Sequence, residues 1–154
     1  MSNSDPFVSA IFAGKFLFEV DGVSIGAFTE VEGLQVDVTV EEVEEGGQNQ
    51  FVHRLPGRLT WPNIVFRRGV TNSDNLFDWL QTTAGDGFTK EGNKLTRRSA
   101  AVTLISDDRK RLRAWELAAA FPVRWKGPSF AASSNDVAAE ELEIAHHGFR
   151  SKKP

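Results

Sequence analysis

Leu34-Gln35-Val36-Asp37-Val38-Thr39-Val40-Glu41 is the cleanest period-two stretch in the chain. Leu34, Val36, Val38 and Val40 fall on one side and Gln35, Asp37, Thr39 and Glu41 on the other, the pattern of a strand with one buried and one wet face. Upstream, Phe16, Phe18 and Val20 alternate with Leu17 and Glu19 and run into Asp21-Gly22, a strand ending in a tight hairpin turn. The return leg covers Val23 to Phe28. Downstream the alternation stops. Glu44 to Gly57, with Glu45-Gly46-Gly47-Gln48-Asn49-Gln50 and then Leu55-Pro56-Gly57, reads as a connection long enough to carry function. Arg58 to Arg68 resumes a strand texture, with Pro62 arguing for an edge or a bulge.

Thr71-Asn72-Ser73-Asp74 supplies cap residues, and Leu76, Phe77 and Leu80 recur at helical spacing beside Trp79, so a helix is predicted over Ser73 to Thr83. The glycine-rich run from Ala84 to Thr96 is a loop. Arg98, Ala100, Val102 and Leu104 alternate with Ser99, Ala101 and Thr103 in a strand that ends at Asp107-Asp108. Leu112 to Phe121 fits both periods: Trp115, Leu117, Ala119 and Phe121 suit a strand, while Leu112, Trp115 and Ala119 suit a helix. Pro122 and Gly127-Pro128 are expected to end that element. A last strand places Leu142 and Ile144 opposite Glu141 and Glu143. With no repeat, linker or low-complexity tract, residues 1–154 read as one β-rich domain with one helix.

Composition narrows function. A chain of 154 residues, 40% hydrophobic and a quarter charged, can bury one full core and folds. A formal charge of −3 neither draws the protein to a phosphate backbone nor to a membrane surface. The absence of cysteine excludes disulfides, zinc-thiolate sites and thiol nucleophiles. No secretory signal and no apolar run of membrane-spanning length is read, so synthesis and folding in the cytoplasm are expected. Twelve Phe and four Trp with no Tyr supply rigid apolar anchors for buried faces or subunit interfaces.

No catalytic constellation emerges, and no metal or cofactor is expected. His146 and His147, adjacent on a strand, face opposite ways and cannot share a metal, and read as ordinary surface or interface residues. His53 lies in the long connection and reads as a contact residue. Glu41, Glu42, Glu44 and Glu45 read as a solvated acidic strand end, and Asp107-Asp108-Arg109-Lys110-Arg111 as a mixed-sign turn without specific nucleic-acid binding.

These blocks taken together resemble the tail-tube protein family of contractile phages and of extracellular contractile injection systems, which include the antifeeding-type and virulence-cassette particles. The resemblance covers nearly the whole chain. It rests on Glu45-Gly46-Gly47-Gln48-Asn49, Leu55-Pro56-Gly57, Trp61-Pro62-Asn63-Ile64, Arg68-Gly69-Val70-Thr71 and Leu76-Phe77-Asp78-Trp79. Downstream it adds Trp115, Phe121-Pro122, Trp125, Gly127-Pro128 and Ser134-Asn135-Asp136-Val137 with Glu140 and Leu142. Arg58 departs from it, standing where the family commonly continues with an apolar residue.

The resemblance implies a mainly β fold, with two antiparallel sheets packed in a barrel-like sandwich and one flanking α-helix. It implies a structural subunit without enzymatic activity, six of which close a ring. Rings stack into a hollow conduit for cargo, with sheath and baseplate proteins as partners in a phage-like or injection particle. The polar face of Gln35, Asp37, Thr39 and Glu41 then suits either the lumen or the outer surface, the aliphatic face filling the sandwich. The family places the connection formed by Gly46, Gly47, Gln48, Asn49, Gln50, Phe51, His53, Arg54, Leu55, Pro56 and Gly57 against the adjacent ring. A tube-fold baseplate subunit that initiates the tube, or a ligand-binding β-barrel, are the alternatives.

Overall fold

Asp21 and Gly22 both take positive φ, 50° and 79°, as a two-residue type I′ turn requires, and they close the predicted hairpin between β1 (Lys15–Val20) and β2 (Val23–Phe28). The structure, a computed structural model, describes residues 14–44, 52–70, 74–83, 98–128 and 138–153. β1 pairs on its other side with β7 (Arg98–Ile105), and β7 pairs with β8 (Arg111–Lys126). The segment whose periodicity fits both helix and strand is therefore strand, because β7 lies on one side of it and β10 (Phe149–Lys152) on the other. Pairing on both edges outweighs the helix propensity of its alanines.

β8 runs for 16 residues and belongs to two sheets. Just past Ala119, which takes a φ of 51°, it makes its last β7 pair at Ala120 and then pairs with β9 (Ala139–Ala145), through register shifts that mark bulges. β9 in turn pairs with β6 (Ile64–Gly69), and β6 with β3 (Glu30–Glu32). All these pairs are antiparallel, giving sheets β2-β1-β7-β8-β10 and β3-β6-β9-β8. Pro122 does not end the element as expected. It lies past the last β7 pair, Arg98 with Ala120, at a register shift where β8 has a neighbour on one side only, the kind of edge position that tolerates a residue without an N–H.

The two sheets face each other across Phe18, Phe28 and Phe66, all fully buried, with ring centroids 4.6 Å apart for Phe18–Phe66 and 5.2 Å for Phe28–Phe66. Each buried ring contributes roughly 1.5–3 kcal/mol by area. The Thr29 N–H donates to the Arg67 carbonyl at 3.0 Å, so the chain leaving β2 is stitched to β6 and the sheets close toward a barrel. Helix α1 (Asn75–Thr83) seals this core: Leu76 and Trp79, one turn apart, point inward, and Trp79 meets Phe18 edge-on at 5.5 Å. Of the predicted helix, Ser73 lies outside the described residues. The Asn75 amide donates to the Ser24 carbonyl at 3.0 Å, anchoring the helix on β2.

Arg68 and Glu140 form an ion pair between the sheets, only 5% and 6% exposed. Gly26 makes room for it, since a Cβ there would collide with the Arg68 guanidinium. The guanidinium carbon sits 4.8 Å over the Phe28 ring, and the Trp125 indole N–H donates to the second Glu140 oxygen at 3.3 Å.

The quoted stretch departs most from its sequence pattern. Pairing starts at Asp37, not Leu34, and β4 (Asp37–Glu44) pairs only with β5 (Val52–Thr60) in a separate two-stranded ribbon. The predicted connection is thus largely strand over Val52 to Gly57, while residues 45–51 lie outside the described residues. Of the aliphatic face only Leu34 packs against the core, while Val36, Val38 and Val40 stand exposed. Gly33, at a φ of 95°, turns the chain off the sheet against the Asn63 backbone, and Trp61-Pro62-Asn63 break the return path before β6.

Candidate assembly surface

The β4–β5 ribbon projects as an arm. Asp37 pairs with Thr60, Val38 with Leu59, Val40 with Pro56, Glu41 with Leu55, Glu42 with Arg54 and Val43 with His53. At the register shift between Val38 and Val40, the Thr39 hydroxyl accepts from the Arg58 N–H at 2.7 Å and approaches its carbonyl at 3.3 Å, locking the bulge. One face carries Val38, Val40, Pro56 and Leu59 near the base, and Glu42 with Arg54 further out. Val40 is 53% and Leu59 55% exposed, and Val36, Val43, Val52 and Leu55 are exposed too. A two-stranded ribbon of this kind is marginal in water by itself. Its apolar side chains have no cover from the rest of the described subunit.

The sequence-predicted site residues divide as follows. Asp37, Thr39 and Glu41 do share one arm face, all exposed, but Val43, His53 and Leu55 share it as well, so it is less polar than alternation implied. Gln35 lies in the unpaired lead-in, where its amide donates to Asp37 at 3.2 Å. His53, Arg54, Leu55, Pro56 and Gly57 lie on β5; Gly46, Gly47, Gln48, Asn49, Gln50 and Phe51 lie outside the described residues.

His146 is not a surface residue. It is 6% exposed at the base of the arm, where Trp61 packs on Phe149 with centroids 5.0 Å apart. Its Nδ1 accepts from the Gly148 N–H at 3.0 Å, which leaves the proton on Nε2 to donate to the Pro62 carbonyl at 2.9 Å. Gly148, at a φ of 116°, lies under Trp61 with its absent Cβ position 2.9 Å from Cε2. A histidine thus ties the β9–β10 turn to the linker that launches β6, and a His-His-Gly-Phe run was the only sequence signal for it.

The outer face of sheet β3-β6-β9-β8 is a plate of paired charge. Arg67 donates to Glu32 at 2.9 Å, Glu141 at 3.0 Å and Glu30 at 3.2 Å, and Arg124 reaches Glu141 at 2.8 Å. Hydrogen bonds to Glu32 and then Glu141 hold the Arg67 guanidinium charged well beyond its ordinary range. Among the described residues no three His, Asp or Glu side chains are grouped to hold a metal, and no helix is long and apolar enough to cross a membrane.

A closed core of aromatic rings with an arm that cannot bury its own apolar face defines a structural subunit built to associate with other chains. More specifically, the chain belongs to the family of the T4-like virus tail tube protein gp19, whose model matches residues 13–150. Among solved structures, it is similar to a chain in the sheath-tube complex of the PVC extracellular contractile injection system in its extended state. Identity is 25%, the TM-score is 0.73, and 98% of this chain and 99% of that one are covered. A chain of the PVC sheath/tube terminator gives 26% identity and a TM-score of 0.71, covering 90% of this chain and 94% of that one. A chain of the anti-feeding prophage baseplate gives 22% and 0.70, with 91% and 92% covered. No curated protein matches significantly by sequence. The chain is accordingly a structural tail tube protein with the fold its sequence resemblance implies.

Proposed function

We propose that this protein closes into hexameric rings that stack into the hollow inner tube of a contractile injection particle, without catalytic activity. The observation that carries this reading is the β4–β5 arm, a ribbon paired only with itself whose aliphatic residues stand half exposed outside the core of the described subunit. A ring that meets head to tail buries such surfaces by closing its rotation. Obligate interfaces of this type bury roughly 2,000 Å² or more. In this arrangement the arm, with the segment Gly46 to Gly57, contacts the next ring, and Gln35, Asp37, Thr39 and Glu41 face the water-filled bore past which cargo travels. Sheath and baseplate proteins surround and seed the tube, and the subunit folds in the cytoplasm before assembly.

Negative-stain microscopy of concentrated purified protein tests the reading: rings or tubes are expected, and a strictly monomeric protein that never enters a particle refutes it. Deleting Gln48 to Arg54, which shortens β5 from its start, leaves rings but abolishes long tubes. The initiator alternative shares the fold, and copy number per particle separates it. The ligand-barrel alternative loses its cavity, because Phe18, Phe28, Phe66 and the Arg68–Glu140 pair fill the space between the sheets.

A further inference from the structure

We propose that the arm of one copy docks on a basic corner of a neighbouring copy, at the turn between β7 and β8. This rests on the tube reading above and names the surface that receives the arm.

The corner is assembled by topology from three separate segments. Lys15 pairs with Ile105, Ile105 with Arg111, and Lys152 with Ala114, so the start of β1, the start of β8 and the end of β10 converge beside the turn. Lys15, Arg109, Lys110, Arg111, Arg113 and Lys152 are all exposed there. Against them stand Asp107, Asp108, which binds Lys110 at 3.4 Å, Glu19, which binds Arg111 at 2.9 Å, and Glu116, which lies near Lys152 but is bound by Arg150 at 3.0 Å. Arg109 and Arg113 have no ion-pair partner among the described residues. In a chain whose formal charge is −3, this is a segregated positive excess.

The turn holds its cations in fixed places. The Ser106 N–H donates to the Lys110 carbonyl at 2.9 Å, the Lys110 N–H donates to the Ser106 hydroxyl at 3.2 Å, and that hydroxyl also bonds Asp108. Leu112 stands exposed between Arg111 and Arg113. β10 pairs with β8 only from Ala114 onward, so Arg111 to Arg113 form an outer rim that no described strand covers on that side.

The arm has the opposite balance. Asp37, Glu41, Glu42 and Glu44 outnumber Arg54 and Arg58 in its sequence, and an ion pair within it, Arg54 with Glu42, is long at 3.8 Å and exposed. Its carboxylates alternate with exposed valines along β4, as the cations at the corner flank exposed Leu112. Glu42, on the arm face that carries Val38, Val40 and Leu59, thus meets the basic and apolar groups of the corner, while Asp37 and Glu41 on the opposite face stay free for the bore. Opposite fields of this kind steer association and reject misaligned partners.

Reciprocal charge reversal in the full chain tests the assignment. E42K/E44K and R109E/R113E each fold, by unchanged far-ultraviolet dichroism, but give no tubes by microscopy at about 0.15 M salt, where exposed charges act over about 8 Å. A chain carrying all four substitutions regains tubes, and rising salt shortens tubes of the unsubstituted chain. If the unsubstituted chain assembles while both reversals polymerise like it, or if the combined chain folds without recovering, this docking is wrong and the tube reading stands. Intact tubes of R109E/R113E that no longer bind sheath would likewise overturn it, giving the corner to another partner. Failure of the unsubstituted chain to assemble would overturn both.

Discussion

Replacing Arg68 by methionine leaves the Glu140 carboxylate in a site 6% exposed, with only the Trp125 N–H at 3.3 Å for compensation. Removing one member of a buried pair costs about 3–5 kcal/mol, because the other charge stays desolvated. For a chain of this size 1 kcal/mol moves the melting temperature by about 2–4 °C, so R68M is expected to melt roughly 6–20 °C lower. Removing both charges, as in R68M/E140L, restores most of that loss, since apolar replacements of a buried pair are often neutral or stabilising. The half-buried Trp125 can then turn its N–H toward water. Gly26→Ala falls between: the new methyl pushes the guanidinium off Glu140 without deleting it. The assay is urea unfolding followed by tryptophan fluorescence, at concentrations below those that support association. A loss under about 1 kcal/mol for R68M, or a double variant no more stable than R68M, would refute the account of this pair.

Gly33→Ala should cost roughly 1–3 kcal/mol, since its φ of 95° and the Asn63 backbone both exclude a side chain; an unchanged thermal melt would contradict the pivot. His146→Ala strands the Gly148 N–H and the Pro62 carbonyl, and a loss of about 1–3 kcal/mol is expected in the same unfolding assay. Leu59→Asp, on the exposed arm, should change subunit stability by under about 0.5 kcal/mol yet abolish tubes, which sedimentation reads directly. Arg150, donating to one Glu116 oxygen at 3.2 and 3.0 Å, lowers that carboxyl below its ordinary value of 4.5. A depressed folded value gives stability that is present above about pH 4.5 and lost as pH falls through the folded value. The stability difference between the native chain and E116Q should therefore shrink on acidification, and a difference that grows instead would contradict the pairing.

Local chemistry announced the elements whose form depends on local chemistry. The Asp21-Gly22 turn, the alternation over Arg98 to Leu104 and the helix carrying Leu76, Phe77 and Leu80 appear where the residues place them, although Trp79 rather than the exposed Phe77 joins Leu76 on the inward face. Leu112 to Phe121 stayed open because both periods fit, and only the flanking strands choose. The arm was half hidden. Val38 and Val40 have the pattern of a core strand, yet they stand exposed outside the core of the described subunit, and alternation cannot say whose core an aliphatic face fills. β5 escaped notice because Pro56, Gly57 and Arg58 break its pattern at the bulge that Thr39 stabilises. Nothing in the local sequence marks Arg68 and Glu140 as a buried pair. The room for the Arg68 guanidinium depends on Gly26, some forty positions away in sequence, which carries no local mark.

The strand common to both sheets gives the subunit a mechanical property. Side-chain contacts alone would let two stacked layers shear by sliding rings past rings, but here one continuous backbone threads both of them over 16 residues. A load that drags one layer along the other must stretch covalent bonds or strip ladder hydrogen bonds from β7 and β9 together. A tube wall made of such bricks transmits an axial thrust with little internal give, and the place where it can yield is the joint between bricks.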